Sequence, residues 1–68
     1  MSTDLGTVLE YINQTTRTVW VWVANAQGYM VWARVRVALG EGRYEVVLPN
    51  GDIETRELPN DTRARISQ

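Results

Sequence analysis

The sequence predicts a mainly β protein, a small five-stranded barrel preceded by a short N-terminal α-helix. Three observations carry this. Apolar residues recur at helical spacing up to Asn13, and after Thr15 the period falls to two. The run Thr18-Val19-Trp20-Val21-Trp22-Val23 alternates strictly, with β-branched residues on one side and two Trp on the other. Tight-turn sequences, Gly40-Glu41-Gly42 and Asn50-Gly51, separate the later alternating runs. A chain of 68 residues makes one small domain and buries only about 60% of its unfolded surface. Closing the sheet would remove edges that so short a chain has little else to cover.

The elements follow in order, as an N-terminal helix or arm over residues 1–14 and a β region over residues 15–68. Between Thr3 and Asn13, Leu5, Val8, Leu9 and Ile12 form one helical stripe, with Thr3 or Asp4 as cap. Gly6 weakens this helix and about eleven residues are too few to hold it alone, so it must dock. The first strand is the Val/Trp run, and Ala24 to Gly28 is a loop. Tyr29 to Leu39 is the second strand, with Ala33, Val35, Val37 and Leu39 inward and Trp32, Arg34 and Arg36 outward. Arg43 to Leu48 is the third, with Tyr44, Val46 and Leu48 inward. Asn50-Gly51 predicts a two-residue type I′ turn, which places Leu48 opposite Ile53, Val46 opposite Thr55 and Glu45 opposite Arg56. Leu58 to Thr62 breaks the fourth strand with one 3₁₀ turn. Arg63 to Ser67 closes the sheet, with Ala64 and Ile66 on one face.

A longer first loop, two tight hairpins and a 3₁₀ turn before the last strand fit an SH3-like barrel. Val21-Trp22-Val23, with Ala24-Asn25 in place of Pro-Asp, and the aromatic Tyr29 resemble the opening of the SH3-like domain that precedes the motor in many myosins. Gly42-Arg43-Tyr44-Glu45-Val46-Val47-Leu48-Pro49-Asn50-Gly51-Asp52 is similar to that family's third-strand hairpin. The resemblance covers roughly residues 19 to 67 and implies a non-catalytic module for protein interaction or structural support. Ala33-Arg34-Val35 and Asn50-Gly51-Asp52-Ile53-Glu54 also look like a Tudor or Agenet barrel. That second resemblance implies a reader of methylated Lys or Arg, which needs several ring faces converging on one cation.

Composition narrows the function. Cys, His and Lys are absent, and seven Arg face eight Asp and Glu for a net charge of -1. The usual general base, thiol nucleophile and commonest metal ligands are therefore missing, and no cofactor is expected. Carboxylate pairs such as Glu41 with Glu45, or Glu54 with Glu57, have no evident cleft to tune them, so the chain reads as a non-enzyme. A near-neutral balance argues against nucleic acid, and no apolar run approaches the roughly 18 residues of a membrane span. The expected partner is a protein, a peptide or a neighbouring domain. The expected compartment is intracellular and cytoplasmic, cytoskeletal if myosin-like and nuclear if Tudor-like.

The candidate binding residues are Trp20, Trp22, Tyr29, Trp32 and Tyr44, since Trp and Tyr dominate interaction hot spots. The arginines Arg34, Arg36, Arg43 and Arg56 read as outward, paired with Glu45 and Glu54 across strands; Arg63 and Arg65 read as ordinary surface. Because Trp20 and Trp22 lie opposite the valines, the barrel interior has room for only one set. The helix is expected across the outside of the barrel near these indoles. Otherwise the indoles form an open partner surface.

Overall fold

The computed structural model describes residues 3–67; Met1, Ser2 and Gln68, which the two expected segments include, lie outside the described residues. The chain is mainly β. It runs through strand β1 (Thr3–Asp4), helix α1 (Leu5–Val8), a 3₁₀ turn (Leu9–Tyr11), and strands β2 (Thr18–Ala24), β3 (Met30–Gly40), β4 (Arg43–Val47), β5 (Ile53–Glu57) and β6 (Arg63–Ser67). All pairings are antiparallel, in the order β1-β6-β2-β3-β4-β5. Among the described residues there are six strands where five were expected. The outermost two, β1 and β5, are not hydrogen-bonded to each other, so this sheet is not a closed barrel. The extra strand arises because Thr3 and Asp4 pair with Ala64 and Arg63 before the helix begins.

The helix is shorter than its apolar stripe. Gly6, Thr7 and Val8 are weak helix formers, and the α-helical turn gives way to 3₁₀ geometry at Leu9. Asp4 is its cap: the carboxylate Oδ1 accepts from Thr7 N at 2.9 Å and from Thr7 Oγ1 at 2.6 Å. Those two bonds favour the ionised form and hold the Asp4 carboxyl below the ordinary Asp range. Leu5 N and Gly6 N donate to Thr62 O and Asn60 O, which ties the helix start to the turn before β6. A Cβ on Gly6 would sit 3.2 Å from the Asn60 Cβ, so glycine permits this approach.

The expected position of the helix is corrected. Leu5, Val8 and Ile12 are buried in one cluster with Val19, Val21, Val23, Ala33, Val35, Tyr44, Val46, Leu48, Leu58 and Ala64. The helix therefore covers the valine face, and the indoles stand on the other side of the sheet. The physical reason is chain geometry. Strand β1 leaves Leu5 at the start of β6, beside Thr62 and on the same side as Thr3 and Ala64, so the first turn drops its apolar residues onto the face that Ala64 lines.

The β4–β5 turn differs from expectation. Only Gly51 takes positive φ (94°) in the β4–β5 connection, because Asn50 stays at negative φ. Gly51 N donates to Leu48 O and Leu48 N donates to Asp52 O, both at 2.9 Å. Pro49 has the fixed φ that suits the second position of a type I turn, and a bulge at Gly51 follows. That three-residue loop slides the register by one. Val47 faces Ile53, Val46 faces Glu54, Glu45 faces Thr55 and Tyr44 faces Arg56. Ile53 is thereby turned outward and is 56% exposed, while Glu54 and Arg56 share the inner side and pair at 2.7 Å. The type I′ signature stands instead at Glu41 (φ 58°) and Gly42 (φ 76°), between β3 and β4.

Strand β3 departs from simple alternation as well. Register shifts between Val35 and Val37, and again between Ala38 and Gly40, bend it and reverse its facing. Val37 is thus only partly buried and Leu39 is exposed, against the expectation that both point inward. Arg36, at the bulge, forms an ion pair with Glu45. The segment before β6 is a single turn in which Thr62 N and Oγ1 both donate to Pro59 O, with no 3₁₀ helix.

Candidate functional site

The outer face of β6, β2 and β3 gathers the large rings. Val21 pairs with Ala33 and Ala64 on the inner side, so Trp20 and Trp22 must point out, and Trp22 lies directly opposite Trp32. The Trp22 and Trp32 rings meet at 5.0 Å between centroids with a tilt of 52°. Such a tilted pair is a favourable aromatic geometry. Trp20 Nε1 donates to Ser67 Oγ at 2.7 Å, which fixes that indole against β6. All three indoles are half-buried.

Strand β6 supplies the cations. Arg65 pairs with Trp20 in register, and its guanidinium lies 5.7 Å from the Trp20 ring and 4.6 Å from the Trp32 ring. Arg63 lies 5.8 Å from Trp22 and 5.6 Å from Trp32. Each contact is within the range of a cation–π interaction, worth about 0.5–1 kcal/mol at an exposed site. On the far side of Trp20, Arg34 occupies the facing position of β3. The row continues through Val47 of β4 to Ile53 of β5. One cross-strand row therefore reads Arg65, Trp20, Arg34, Val47, Ile53. A shallow groove of about 370 Å³ opens along it, lined by Trp20, Trp32, Arg34, Val47, Leu48 and Pro49.

Of the five expected site residues, the structure brings together Trp20, Trp22 and Trp32. Tyr44 is 6% exposed and belongs to the core. Tyr29 is 72% exposed in the β2–β3 connection, where its N–H donates to Asn25 Oδ1 at 2.9 Å, and it does not join the indole cluster. Arg63 and Arg65, read from sequence as ordinary surface, are part of the patch. The alternation of Arg63-Ala64-Arg65-Ile66 is visible in the sequence. Which strand it would pair with is not, because β6 meets β2 across more than forty residues.

A second groove of about 420 Å³ lies between the β2–β3 and β4–β5 connections, with Val31, Leu48, Asp52 and Glu54 in its walls and no aromatic ring. Glu54 is engaged there by Arg56. Among the described residues, no group of three or more His, Cys, Asp or Glu is placed to hold a metal ion. Nor is any helix among them long and apolar enough to cross a membrane. No protein-family model, curated protein or solved structure matches the chain. The outer indole and guanidinium face is therefore defined by its own geometry alone.

Proposed function

We propose that this chain is a non-catalytic SH3-like module, similar to the myosin N-terminal domain, that binds a protein or peptide partner inside the cell. The succession β2-β3-β4-β5 as a meander, with β6 returning beside β2 after a short turn, supports the SH3-like reading. One observation carries the binding reading. Three half-buried indoles share a solvent-facing sheet surface, and helix α1 is committed to the opposite face. Trp and Arg are the residues most enriched where interfaces gain their energy. The Tudor-like alternative needs ring faces open to a methylated cation. Here Arg63 and Arg65 already stand over them, which favours the general interaction module.

Peptides selected from a random display library against the whole chain test this. They should shift the indole Nε1–H signals of Trp20, Trp22 and Trp32 in a nitrogen–proton NMR spectrum and lose affinity for Trp32→Leu, while Tyr29→Ala binds as the parent does. Ligands that leave the indole signals in place would overturn the assignment of the face. Selective uptake of trimethyl-lysine or dimethyl-arginine peptides would favour the Tudor-like alternative.

A further inference from the structure

We infer that the partner segment is acidic, with an aliphatic side chain among its carboxylates; this deepens the interaction reading above and rests on it. The outer positions of the three central strands are Arg63, Arg65 and Ser67 on β6, Thr18, Trp20, Trp22 and Ala24 on β2, and Met30, Trp32 and Arg34 on β3. No acid is among them; the acids of the outer face stand on the flanking strands, Asp4 of β1 opposite Arg63, Glu45 on β4 and Glu57 on β5, and none falls in the row through Trp20. Chain-wide, acids outnumber arginines by one, so the part of this face formed by β6, β2 and β3 is cationic on a molecule that is not.

The arginines are also prepared for carboxylates. A guanidinium laid on an indole keeps its N–H donors in its own plane, so stacking uses none of them. The Arg65 Cζ lies over the Trp32 ring at 4.6 Å from its centroid, a position from which it can stack so. Its side chain therefore loses less rotamer freedom on binding than a free one. Arg34 forms no ion pair or hydrogen bond among the described residues, although Glu45, Glu54 and Glu41 each have an arginine partner elsewhere. Arg65 and Arg34 flank Trp20 on the two neighbouring strands, roughly 10 Å apart at strand spacing. Beyond Arg34 the same row turns aliphatic at Val47 and Ile53. The row spans five strands, about 19 Å, or roughly six residues of extended chain. Two carboxylates over the arginines and one Leu or Ile in the groove by Val47 and Pro49 would match it in order. Single-stranded nucleic acid fits less well, since stacking bases would have to displace the guanidiniums from the rings.

The test uses the full chain and four probes: the peptide Glu-Glu-Leu-Glu-Glu-Ile-Glu, its Gln-for-Glu counterpart, its Lys-for-Glu counterpart and an oligouridylate of similar length. The acidic peptide should bind, shift the three indole signals, and weaken as salt rises and the screening length shortens to about 8 Å. Arg65→Gln and Arg34→Gln should each weaken it by about threefold to tenfold. Arg56→Gln, on the inner side of β5, should not. Equal binding by the Gln peptide, or stronger binding by the Lys peptide or the oligouridylate, overturns the acidic assignment and leaves the interaction face standing. If neither these probes nor the display-selected peptides touch the indole signals, the interaction reading falls with it.

Discussion

Glu41 holds φ at 58° in the β3–β4 turn, a conformation that costs an L residue about 1–2 kcal/mol. Its side chain is solvent-exposed and reaches Arg43 only at 3.9 Å, so little is lost by removing it. Glu41→Gly should therefore stabilise the fold by about 0.5–1 kcal/mol, read as a rise of roughly 3–5 °C in Tm. Gly51 is the reverse case. Nothing lies within 4 Å of a Cβ built there, so the cost of Gly51→Val is in the backbone at φ 94° and amounts to about 1–2 kcal/mol. An unchanged melting temperature would sink that assignment. Asp4 carries the pH dependence at this scale. Because its folded form titrates below the ordinary range, its contribution is complete at neutral pH and is lost as pH falls below about 4. Asp4→Asn should keep the cap and flatten this part of the Tm-against-pH profile, whereas Asp4→Ala should lower Tm at neutral pH.

At the level of elements, the helix is the informative one. Leu5 is fully buried among the valines, and Leu5→Ala should cost about 2–5 kcal/mol. The folded variant should keep the tryptophan emission of the parent, because the indoles lie on the other side of the sheet; a red-shifted native spectrum would place the helix on them after all. The sequence shows why this was half legible. Its apolar stripe at Leu5, Val8 and Ile12 announces a docked face, but a stripe carries no address. The β2 alternation was legible in full, since every second residue is a valine and burial of that side is the cheaper choice. The β4–β5 register was not. Asn-Gly usually marks a two-residue turn, yet Pro49 favours a type I turn here, and one additional loop residue moves every later side chain to the other face. Ile53 and Arg56 exchange sides for that reason.

Taken whole, the molecule ends its sheet at β5 in a way that discourages pairing. Glu54 and Arg56 point to the inner side of this edge strand, where a second sheet would have to desolvate them. Replacing both with Val should leave the monomer folded but make its sedimentation depend on concentration; a double variant that stays monomeric at every loading would show that the edge is guarded by something else. The indole and guanidinium face belongs to this scale too. Trp20 and Trp22 could be placed on one side from β2 alone, but their cations arrive through the β6–β2 pairing, a contact that no local pattern encodes.

That β1 zips onto β6, with Thr3 beside Ala64 and Asp4 beside Arg63, has a consequence for how the domain can be wired. Paired Cα atoms in an antiparallel ladder are only about 5 Å apart, so Thr3 stands beside Ala64, three residues or about 10 Å along β6 from Ser67. A gap of that size is bridged by a few residues, so the sequence can be cut elsewhere and rejoined here. A permutant that links the ends through a few Gly and Ser residues and opens between Glu41 and Gly42 should fold to the same sheet, with the indole signals of the parent. Opening instead between Asn60 and Asp61 should fail, because that turn supplies the Asn60 and Thr62 carbonyls that hold the helix start.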